Sequence, residues 1–249
     1  MITPYDINLI LEGSETRRRF FDALIAQFDK NYLFELLQYN KLLKQRNAFL
    51  KTNTSSVDLL EVYDEQMIEK AQSIHESRKK FIDDFIPIFN KFYQDISSNK
   101  EVVNLDYQSA LHENTMKELF IQNRTKDQLV GHTSSGIHRD DFLFSIESNP
   151  MKKFGSQGQQ KTYLIALKLA KFEYIKLKKN VNPVLLLDDI FDKLDDHRVG
   201  YILNLIEKNN LGQTFITDTS KEKIPQILAN LNIESNLFWI ENGNSSKLN

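Results

Sequence analysis

Glycine is almost absent from the first half of this chain, and that absence limits what the half can fold into. Gly13 is the only glycine before Gly131, although the 249 residues contain eight glycines in all. Tight turns between strands commonly need glycine for a positive φ, so a long stretch without it favours helices. Apolar residues at helical spacing agree, and we predict an α-helical region that ends near residue 125.

Three helices are predicted in this region. The first has Ser14 as its cap and reads "ETRRRFFDALIAQF". The second follows Asp29, reads "NYLFELLQYNKLLKQRNAFLK", and ends before the polar hinge "TNTSS" at residues 52–56. The third begins at Val57 and contains Pro87, which should kink or shorten it.

The third helix carries a stripe of apolar residues at steps of seven. The members are Leu60, Met67, Ile74, Phe81 and Ile88. Such a stripe is compatible with an antiparallel bundle or with a dimeric coiled coil. Asp64 and Arg78 occupy positions that a coiled-coil seam requires to be apolar, which favours the bundle.

From Gly131 onward, strand and helix patterns alternate. The predicted strands are "DDFLFSIES", "PVLLLDD", "QTFITDT" and "NLFWIENG", and the predicted helices are "GSQGQQKTYLIALKLAKFEYIKLKK", "DDHRVGYILNLIEKN" and "KIPQILANL". This alternation indicates an α/β fold with a largely parallel sheet.

Composition excludes several classes of protein. The chain has no cysteine, so disulfides and cysteine-ligated zinc or iron–sulfur sites are excluded. No apolar run is long enough to span a bilayer, and "MITPYDIN" lacks the pattern of a signal peptide. We therefore predict a cytoplasmic protein without a membrane partner. A net charge of −2 gives no overall attraction to nucleic acid, although local basic clusters could bind phosphate.

Two aspartates end the most apolar strand. In "PVLLLDDIFDKLDD", Asp188 and Asp189 follow a run typical of a strand buried on both faces. The carboxyl edge of such a strand opens into a crevice, where a carboxylate can hold Mg²⁺ against a nucleotide phosphate. The alternative is an acidic turn that serves only solubility.

The helix entrance "GSQGQQK" has an unusual composition for a first turn. Ser156 and Gln159 have the spacing of a capping box, which would by itself explain a helix start. Gly155 and Gly158 add no helix stability, but they leave backbone N–H groups and the positive end of the helix dipole open. Glutamines in place of acidic residues would not repel an anion. The entrance is thus either a simple cap or an anion site, and we favour the anion site.

No phosphate-binding loop of the G-x-x-x-x-G-K-[ST] type occurs. Only Gly131 and Gly136 have its glycine spacing, and Ile137 and His138 stand where lysine and serine or threonine are required. An apparent metal carboxylate and an apparent phosphate-facing helix therefore occur without a cradle for the nucleotide.

The motifs together resemble a known family. "SQGQQKTYLIALKLA" and "PVLLLDDIFDKLDDHR" resemble the signature motif, Walker B and D-loop of the RecF family of ABC-type/SMC-like ATPases. "GIHRDDFLF" is similar to the G-P-H-R-D-D-L stretch of that family, with Ile137 in place of proline, and the first 50 residues resemble its helical arm. The resemblance implies an α-helical arm or lid at residues 1–125 and the C-terminal half of an ABC-type ATPase head at 126–249. The family's Walker A loop and Q-loop have no counterpart in this sequence, so it resembles a truncated member.

The resemblance also assigns roles to individual residues. Asp188 corresponds to the Walker B aspartate that ligates Mg²⁺, Asp189 to the carboxylate that orients or deprotonates the attacking water, and Asp195 to the D-loop aspartate at the dimer interface. The signature motif corresponds to Ser156, Gln157, Gly158 and Gln159. In the family, this motif reaches the γ-phosphate of ATP that the other subunit holds. The switch histidine has no equivalent, since Asp218 or Thr219 stands at its place.

The function that the resemblance implies is bacterial DNA repair, recombination and replication, including the SOS response. A family dimer would bind DNA in an ATP-dependent manner and, with RecO and RecR, promote RecA loading at single-strand gaps. Without a Walker A lysine this chain alone should be inactive as an ATPase. The alternative is a module that binds DNA or RecR without ATP. The basic residues 17–19 and those near Lys152 are the candidates for DNA contact.

Overall fold

The computed structural model describes residues 1–52, 57–191, 194–208, 212–220, 223–230 and 234–248. The helices in these ranges are α1 (Asn8–Leu11), α2 (Ser14–Ile25), α3 (Lys30–Leu50), α4 (Val57–Ser97), α5 (Met116–Val130), α6 (Met151–Phe154), α7 (Gln157–Lys179), α8 (Asp196–Lys208) and α9 (Lys223–Asn230). The strands are β1 (Val103–Gln108), β2 (Asp141–Ile146), β3 (Asn149–Pro150), β4 (Leu185–Asp188), β5 (Thr214–Thr217), β6 (Leu237–Glu241) and β7 (Asn244–Leu248). Most of the predicted hinge, and Asp192 and Lys193 of the predicted D-loop, lie outside the described residues.

The chain forms two compact units that alternate along the sequence. The head unit comprises residues 1–11, 87–104 and 145–249, and the arm unit comprises residues 12–86 and 105–144. These units divide the chain differently from a single cut at residue 125, because 1–11 and 87–104 belong to the head unit and 126–144 belongs to the arm unit. The reason is that α4 and the segments on either side of the arm pass from one unit to the other.

Helix ends in the arm unit are fixed by local hydrogen bonds. Helix α3 follows Asp29 as predicted, and Asp29 caps it by accepting a bond from the N–H of Tyr32 at 2.9 Å. Thr115 begins α5 with a capping box, and Gly131 ends it in the left-handed conformation at φ 68°. The prediction for α2 was wrong by one residue, because Gly13 occupies the N-cap position and no side chain caps that helix.

The core of the arm unit is built from aromatic rings and two buried arginines. Phe21 is fully buried, and its ring lies 4.1 Å from that of Phe142 and 5.9 Å from that of Phe85, centre to centre. The two charged positions in the apolar stripe of α4 both have partners within the unit. Asp64 accepts a bond from Arg46 at 2.7 Å, and Arg78 has several partners described below. This pairing explains how the stripe packs inside the chain, as the bundle interpretation predicted.

One strand lies in the region that was predicted to be helical. In β1, buried and exposed residues alternate along Val103–Gln108. This strand joins β2 and β3 in a three-stranded sheet of order β1-β2-β3. The alternation of Val103, Leu105 and Tyr107 on the buried face is the signal that could have identified it.

A central helix and small sheets make up the head unit. The middle of helix α7 is buried, with an unbroken run from Thr162 to Leu167, and its Tyr163 packs against Phe89 with ring centres 4.7 Å apart. Strands β4 and β5 pair in parallel, with Asp188 opposite Thr217, and Ile2 forms a parallel bridge with Leu187. Strands β6 and β7 form an antiparallel hairpin, and β2 and β3 also pair in antiparallel. The fold is α/β, as predicted.

Candidate functional site

Asp188 is the last residue of β4, at the carboxyl edge of the parallel pair. The hydroxyl of Thr217, at the end of β5, donates to Asp188 Oδ1 at 2.7 Å. Asp188 is half-buried, and its Oδ2 accepts no hydrogen bond from any described residue. One carboxylate oxygen is therefore held in place, and the other is open to a ligand.

Asp189 follows in a left-handed backbone conformation, with φ at 48°. Its N–H donates to the carbonyl of Thr217 at 3.1 Å, which holds the turn against the end of β5. The Asp189 carboxylate has no hydrogen-bond partner among the described residues. Thr217 thus positions both aspartates, although sequence reasoning did not select it. Its place at the end of the neighbouring parallel strand was the available signal.

The donor set at this edge fits a hard cation only in part. Two adjacent carboxylates with open oxygens match the preference of Mg²⁺ for oxygen ligands. The described residues contain no group of three or more histidine, cysteine or acidic side chains that could hold a metal. Mg²⁺ at Asp188 would accordingly need phosphate and water oxygens to complete its coordination, which is its usual habit in nucleotide sites.

The predicted capping box at the start of α7 is confirmed. Gln159 N–H donates to Ser156 Oγ at 3.2 Å, and Ser156 N–H donates to Gln159 Oε1 at 2.8 Å. Ser156 and Gln157 are exposed, Gly158 is half-buried, and the first turn has no acidic residue. The amino end of α7 is therefore at the surface of the head unit and carries the partial positive charge of a long helix.

Sequence reasoning suggested that Gly155 leaves the amino end of α7 open to an anion, but in the structure Gly155 serves the packing of the turn before the helix. A Cβ at this residue would lie 2.4 Å from Met151 Sδ and 2.8 Å from the Met151 carbonyl oxygen. The side chain of Gln160 donates to the carbonyl of Gly155 at 3.0 Å and to those of Met151 and Lys152. Gly155 and Gln160 therefore pack the turn of α6 onto α7.

Asp195 caps α8. Its Oδ1 accepts a bond from the N–H of Arg198 at 2.8 Å, while 62% of its side chain stays exposed. The prediction that Asp195 lies at a dimer interface is compatible with this exposure and stays a prediction.

A partly buried ion pair links the start of α7 to the start of α8. Arg198 donates to Glu101 Oε1 at 2.7 Å and to Thr162 Oγ1 at 2.7 Å. Gln159 donates to the same Glu101 oxygen at 3.3 Å. Sequence reasoning missed Glu101 and Arg198, because Glu101 lies 97 residues from its partner and no local spacing links them.

The predicted residues thus fall into two clusters. Asp188 and Asp189 gather around Thr217, whereas Gln159 and Asp195 are both linked to Arg198. No hydrogen bond or ion pair joins one cluster to the other within the part of the chain that the structure describes.

Most of the arginines considered for DNA contact have partners inside the arm unit. Arg17 binds both carboxylate oxygens of Asp141 at 2.8 Å, and Arg18 donates to the carbonyl of Asp140 at 2.6 Å. Arg19 is 75% exposed and pairs only with Glu15 on the same helix. Of these three, Arg19 remains the one whose guanidinium is largely open to solvent.

The segment "GIHRDD" is held from several sides, which indicates a structural role. Arg78, whose side chain is 1% exposed, donates to the carbonyl of Ile137 and to the carboxylate of Asp140, both at 2.8 Å. His138 Nδ1 lies 3.0 Å from the hydroxyl of Tyr39, and burial lowers the pKa of His138 to about 4. Arg139 is exposed.

At the switch position, Asp218 accepts a bond from the N–H of Ser220 at 2.7 Å, which is an arrangement of a turn. No described helix has the length and apolarity needed to cross a membrane.

Similarity to curated relatives shows which family the chain belongs to. No family model matches the chain. It is 50% identical over 232 residues to the DNA replication and repair protein RecF of Flavobacterium johnsoniae, covering 92% of the chain and 65% of the relative. It is 46% identical to the protein of the same name from Parabacteroides distasonis, covering 98% of the chain and 67% of the relative. The chain belongs to the RecF family.

Solved structures agree with this assignment. A structure of the recombination mediator protein RecF-ATP in the RecFOR pathway matches with a TM-score of 0.80 and 35% identity, over 100% of the chain and 66% of that RecF chain. A RecF-ATPrS structure matches with a TM-score of 0.78 and 34% identity. An Smc head domain from Pyrococcus furiosus matches at 14% identity with a TM-score of 0.52, which supports the fold alone. The chain spans about two thirds of the length of its RecF relatives.

Proposed function

We propose that this chain supplies the signature motif, Walker B aspartates and D-loop of a RecF-type ATPase that acts in DNA replication and repair. The observation that carries the proposal is the amino end of α7. It is exposed, is capped by the neutral pair Ser156 and Gln159, and has no acidic residue in its first turn. These properties suit a phosphate, because backbone N–H groups and the helix dipole both favour an anion at that end.

In this proposal, the residues Ser156 to Gln159 face the γ-phosphate of ATP that a second RecF subunit holds. ATP then stabilises a homodimer, and its hydrolysis releases the two subunits. The exposed carboxylate of Asp195 would contribute to the same interface.

Asp188 and Asp189 are proposed to serve the nucleotide that this subunit itself binds when a Walker A loop is supplied. Asp188 would hold Mg²⁺ through its open oxygen, and Thr217 fixes the carboxylate for that task. The metal would neutralise charge on the phosphates. Asp189 would accept a proton from, or orient, the attacking water.

The 249-residue sequence itself contains no Walker A lysine, so we expect it not to hydrolyse ATP. The measurement is phosphate release by the purified chain with ATP and Mg²⁺. Turnover above that of a buffer blank, abolished by Asp189→Asn, would contradict this expectation.

A matched pair of variants tests whether the α7 end faces an anion. Asparagine and aspartate are equally good N-cap residues of the same shape, so Ser156→Asn and Ser156→Asp should unfold at similar temperatures. Only the aspartate adds negative charge. The chain is mixed with full-length RecF of Flavobacterium johnsoniae, and association is measured by sedimentation velocity with and without ATP. We expect ATP-dependent association for Ser156→Asn and none for Ser156→Asp; equal association of both variants would refute the anion site.

The proposal extends to DNA and to protein partners. RecF dimers with ATP would bind duplex next to single-strand gaps in the bacterial cytoplasm and, together with RecO and RecR, promote RecA loading during the SOS response. Contacts to DNA would be mainly to phosphates and therefore salt-dependent. Gel shifts with gapped DNA at several salt concentrations, with and without ATP, measure this directly.

An exposed apolar group on α3 favours the alternative of an ATP-independent binding module. Leu33, Phe34 and Leu37 are all exposed in the arm unit, and such a group is a common feature of protein-binding surfaces. Binding of RecR that is the same with and without ATP, and that weakens in Phe34→Ser, would favour the module.

A further inference from the structure

Arg198 is the residue on which the cluster at the start of α7 converges. Its Nη1 donates to Thr162, its Nη2 donates to Glu101, and its Nε lies 3.4 Å from Asp195 Oδ2. Only 19% of the side chain is exposed. Every nitrogen of the guanidinium thus has an oxygen partner within the head unit, so the group is not free to contact a phosphate.

Glu101 is the carboxylate partner of Arg198, and both of its oxygens accept hydrogen bonds. Its Oε1 accepts bonds from Arg198 and Gln159, and its Oε2 accepts a bond from the hydroxyl of Tyr93. Burial and the bond to Glu101 raise the pKa of Tyr93, which keeps that phenol protonated as a donor. Because 14% of the Glu101 side chain is exposed, removal of Arg198 would leave a largely buried charge without its cation.

Two separate routes connect this ion pair to the first turn of α7. Through Glu101 it reaches the side chain of Gln159. Through Thr162 it reaches the backbone, since Thr162 Oγ1 donates to the carbonyl of Gly158 at 2.8 Å. The ion pair is also linked to the predicted D-loop, because Asp195 Oδ1 accepts a hydrogen bond from the backbone N–H of Arg198.

We propose that Glu101 and Arg198 form a positioning pair that fixes the signature turn at Gly158 and Gln159 to the loop carrying Asp195. The two motifs then keep one geometry before any nucleotide arrives. A subunit interface that must close on a triphosphate benefits from this, because loops that are already ordered lose less entropy on binding. The inference rests on the proposed function for its purpose, but the coupling itself is a property of this chain alone.

Amide hydrogen exchange of the nucleotide-free, full 249-residue chain tests the coupling. In Arg198→Gln and in Glu101→Gln, exchange of the hydrogen-bonded amides at 159–160 and at 198–199 should rise on the order of tenfold, the size expected for a lost charged hydrogen bond. The double variant should exchange no faster than either single variant, because both substitutions remove the same interaction. Arg198→Lys keeps the charge and should fall between Arg198→Gln and the unchanged chain.

Several results would overturn the proposal. One is a rise at residues 198–199 alone in Arg198→Gln, and another is a double variant whose effect equals the sum of the single effects. Equal exchange in Arg198→Lys and Arg198→Gln would contradict the ion-pair basis. A general rise that includes α5 would indicate loss of overall stability instead of coupling. The control is Arg19→Gln, which removes an exposed pair of the same type and should leave both segments unchanged.

The association assay with the Flavobacterium johnsoniae protein separates this inference from the proposed function. If the function is correct, Arg198→Gln should raise the ATP concentration for half-maximal association about tenfold. If the unchanged chain shows no ATP-dependent association, the proposed function fails while the exchange data still decide whether the pair couples the two motifs.

Discussion

Gly155 is held so close to Met151 that no side chain can be added without moving the turn. A Cβ at this residue would lie 2.4 Å from the sulfur and 2.8 Å from the backbone carbonyl oxygen of Met151, and the carbonyl cannot swing away as a flexible side chain can. We expect Gly155→Ala to destabilise the chain by about 1–3 kcal/mol, as overpacking does. Chemical denaturation measures the change.

Gly200 is the control for that substitution. It lies inside α8, and a Cβ there would meet only Ile227 Cγ2 at an ordinary 3.9 Å. Gly200→Ala should therefore stabilise the chain by about 0.5–1 kcal/mol through helix propensity. Equal effects of the two substitutions would mean that the contact with Met151 is not what limits position 155.

Sequence alone could predict the site residues that interact with close neighbours along the chain, but it did not predict the contacts between distant segments. Ser156 and Gln159 form their capping box across three residues, so the spacing itself carries the information. Asp188 was predicted because the apolar run of its own strand ends there. Thr217 could have been found from its place at the end of the neighbouring strand. Glu101 is brought to the site only by the packing of distant segments, and nothing in its neighbouring residues indicates it.

At the scale of elements, α4 shows how a helix with a seven-residue stripe avoids becoming a coiled coil. Arg78 stands at a seam position and binds Asp22, Asp140 and the carbonyl of Ile137, all inside the arm unit. An arginine with three such partners fixes one arrangement of α2 and α4. The periodicity predicted the buried face of α4, but only these partners specify what packs on it.

Removal of Arg78 should be among the most damaging single changes in the arm unit. Arg78→Met would leave two carboxylates near one another without their cation, which costs about 3–5 kcal/mol for a buried pair. Arg19→Met removes an arginine that is 75% exposed and should change stability by less than about 0.5 kcal/mol. Urea unfolding of both variants gives the comparison, and similar losses would contradict the structural role of Arg78.

The missed strand β1 has a physical explanation at the same scale. Residues 103–108 lie shortly after the long helix α4, which ends at Ser97, and their alternation covers only six residues. A pattern this short competes poorly with the helical periodicity before it. The strand is stabilised by its pairing with β2, which lies more than 30 residues further along the chain.

For the whole molecule, two buried histidines predict a loss of stability in mild acid. Burial lowers the pKa of both His75 and His138 to about 4, from an ordinary value of 6.5. Between these values the unfolded chain binds protons that the folded chain does not, so the free energy of unfolding falls as pH is lowered from 6.5 to about 4. Above pH 6.5 both states are neutral at these residues and the effect vanishes.

The measurement is urea unfolding across that pH range, compared with the double variant His75→Asn/His138→Asn. The comparison matters because other buried groups, such as Asp140 with a pKa raised by burial, titrate in the opposite sense. We expect the slope of stability against pH between 6.5 and 4 to become shallower in the double variant. An unchanged slope would show that the two histidines do not cause it.

Self-association is a second property that belongs to the whole molecule. Leu186 of β4 and Phe215 of β5 are register partners and are 38% and 53% exposed, which leaves an apolar patch on the parallel pair. Patches of this kind promote association. Sedimentation velocity should detect dimers or larger species, and Phe215→Ser should reduce them, whereas Phe34→Ser in the arm unit should not. A chain that is monomeric at all concentrations would contradict this.

The left-handed backbone of Asp189 decides which substitutions can be used to study it. Asparagine tolerates that conformation as well as aspartate does and has the same shape, so Asp189→Asn removes charge and nothing else. Glutamate adapts to it poorly, and a defect in Asp189→Glu would mix backbone strain with altered reach. A variant that isolates the role of the Asp189 charge should therefore carry the amide and not the longer acid.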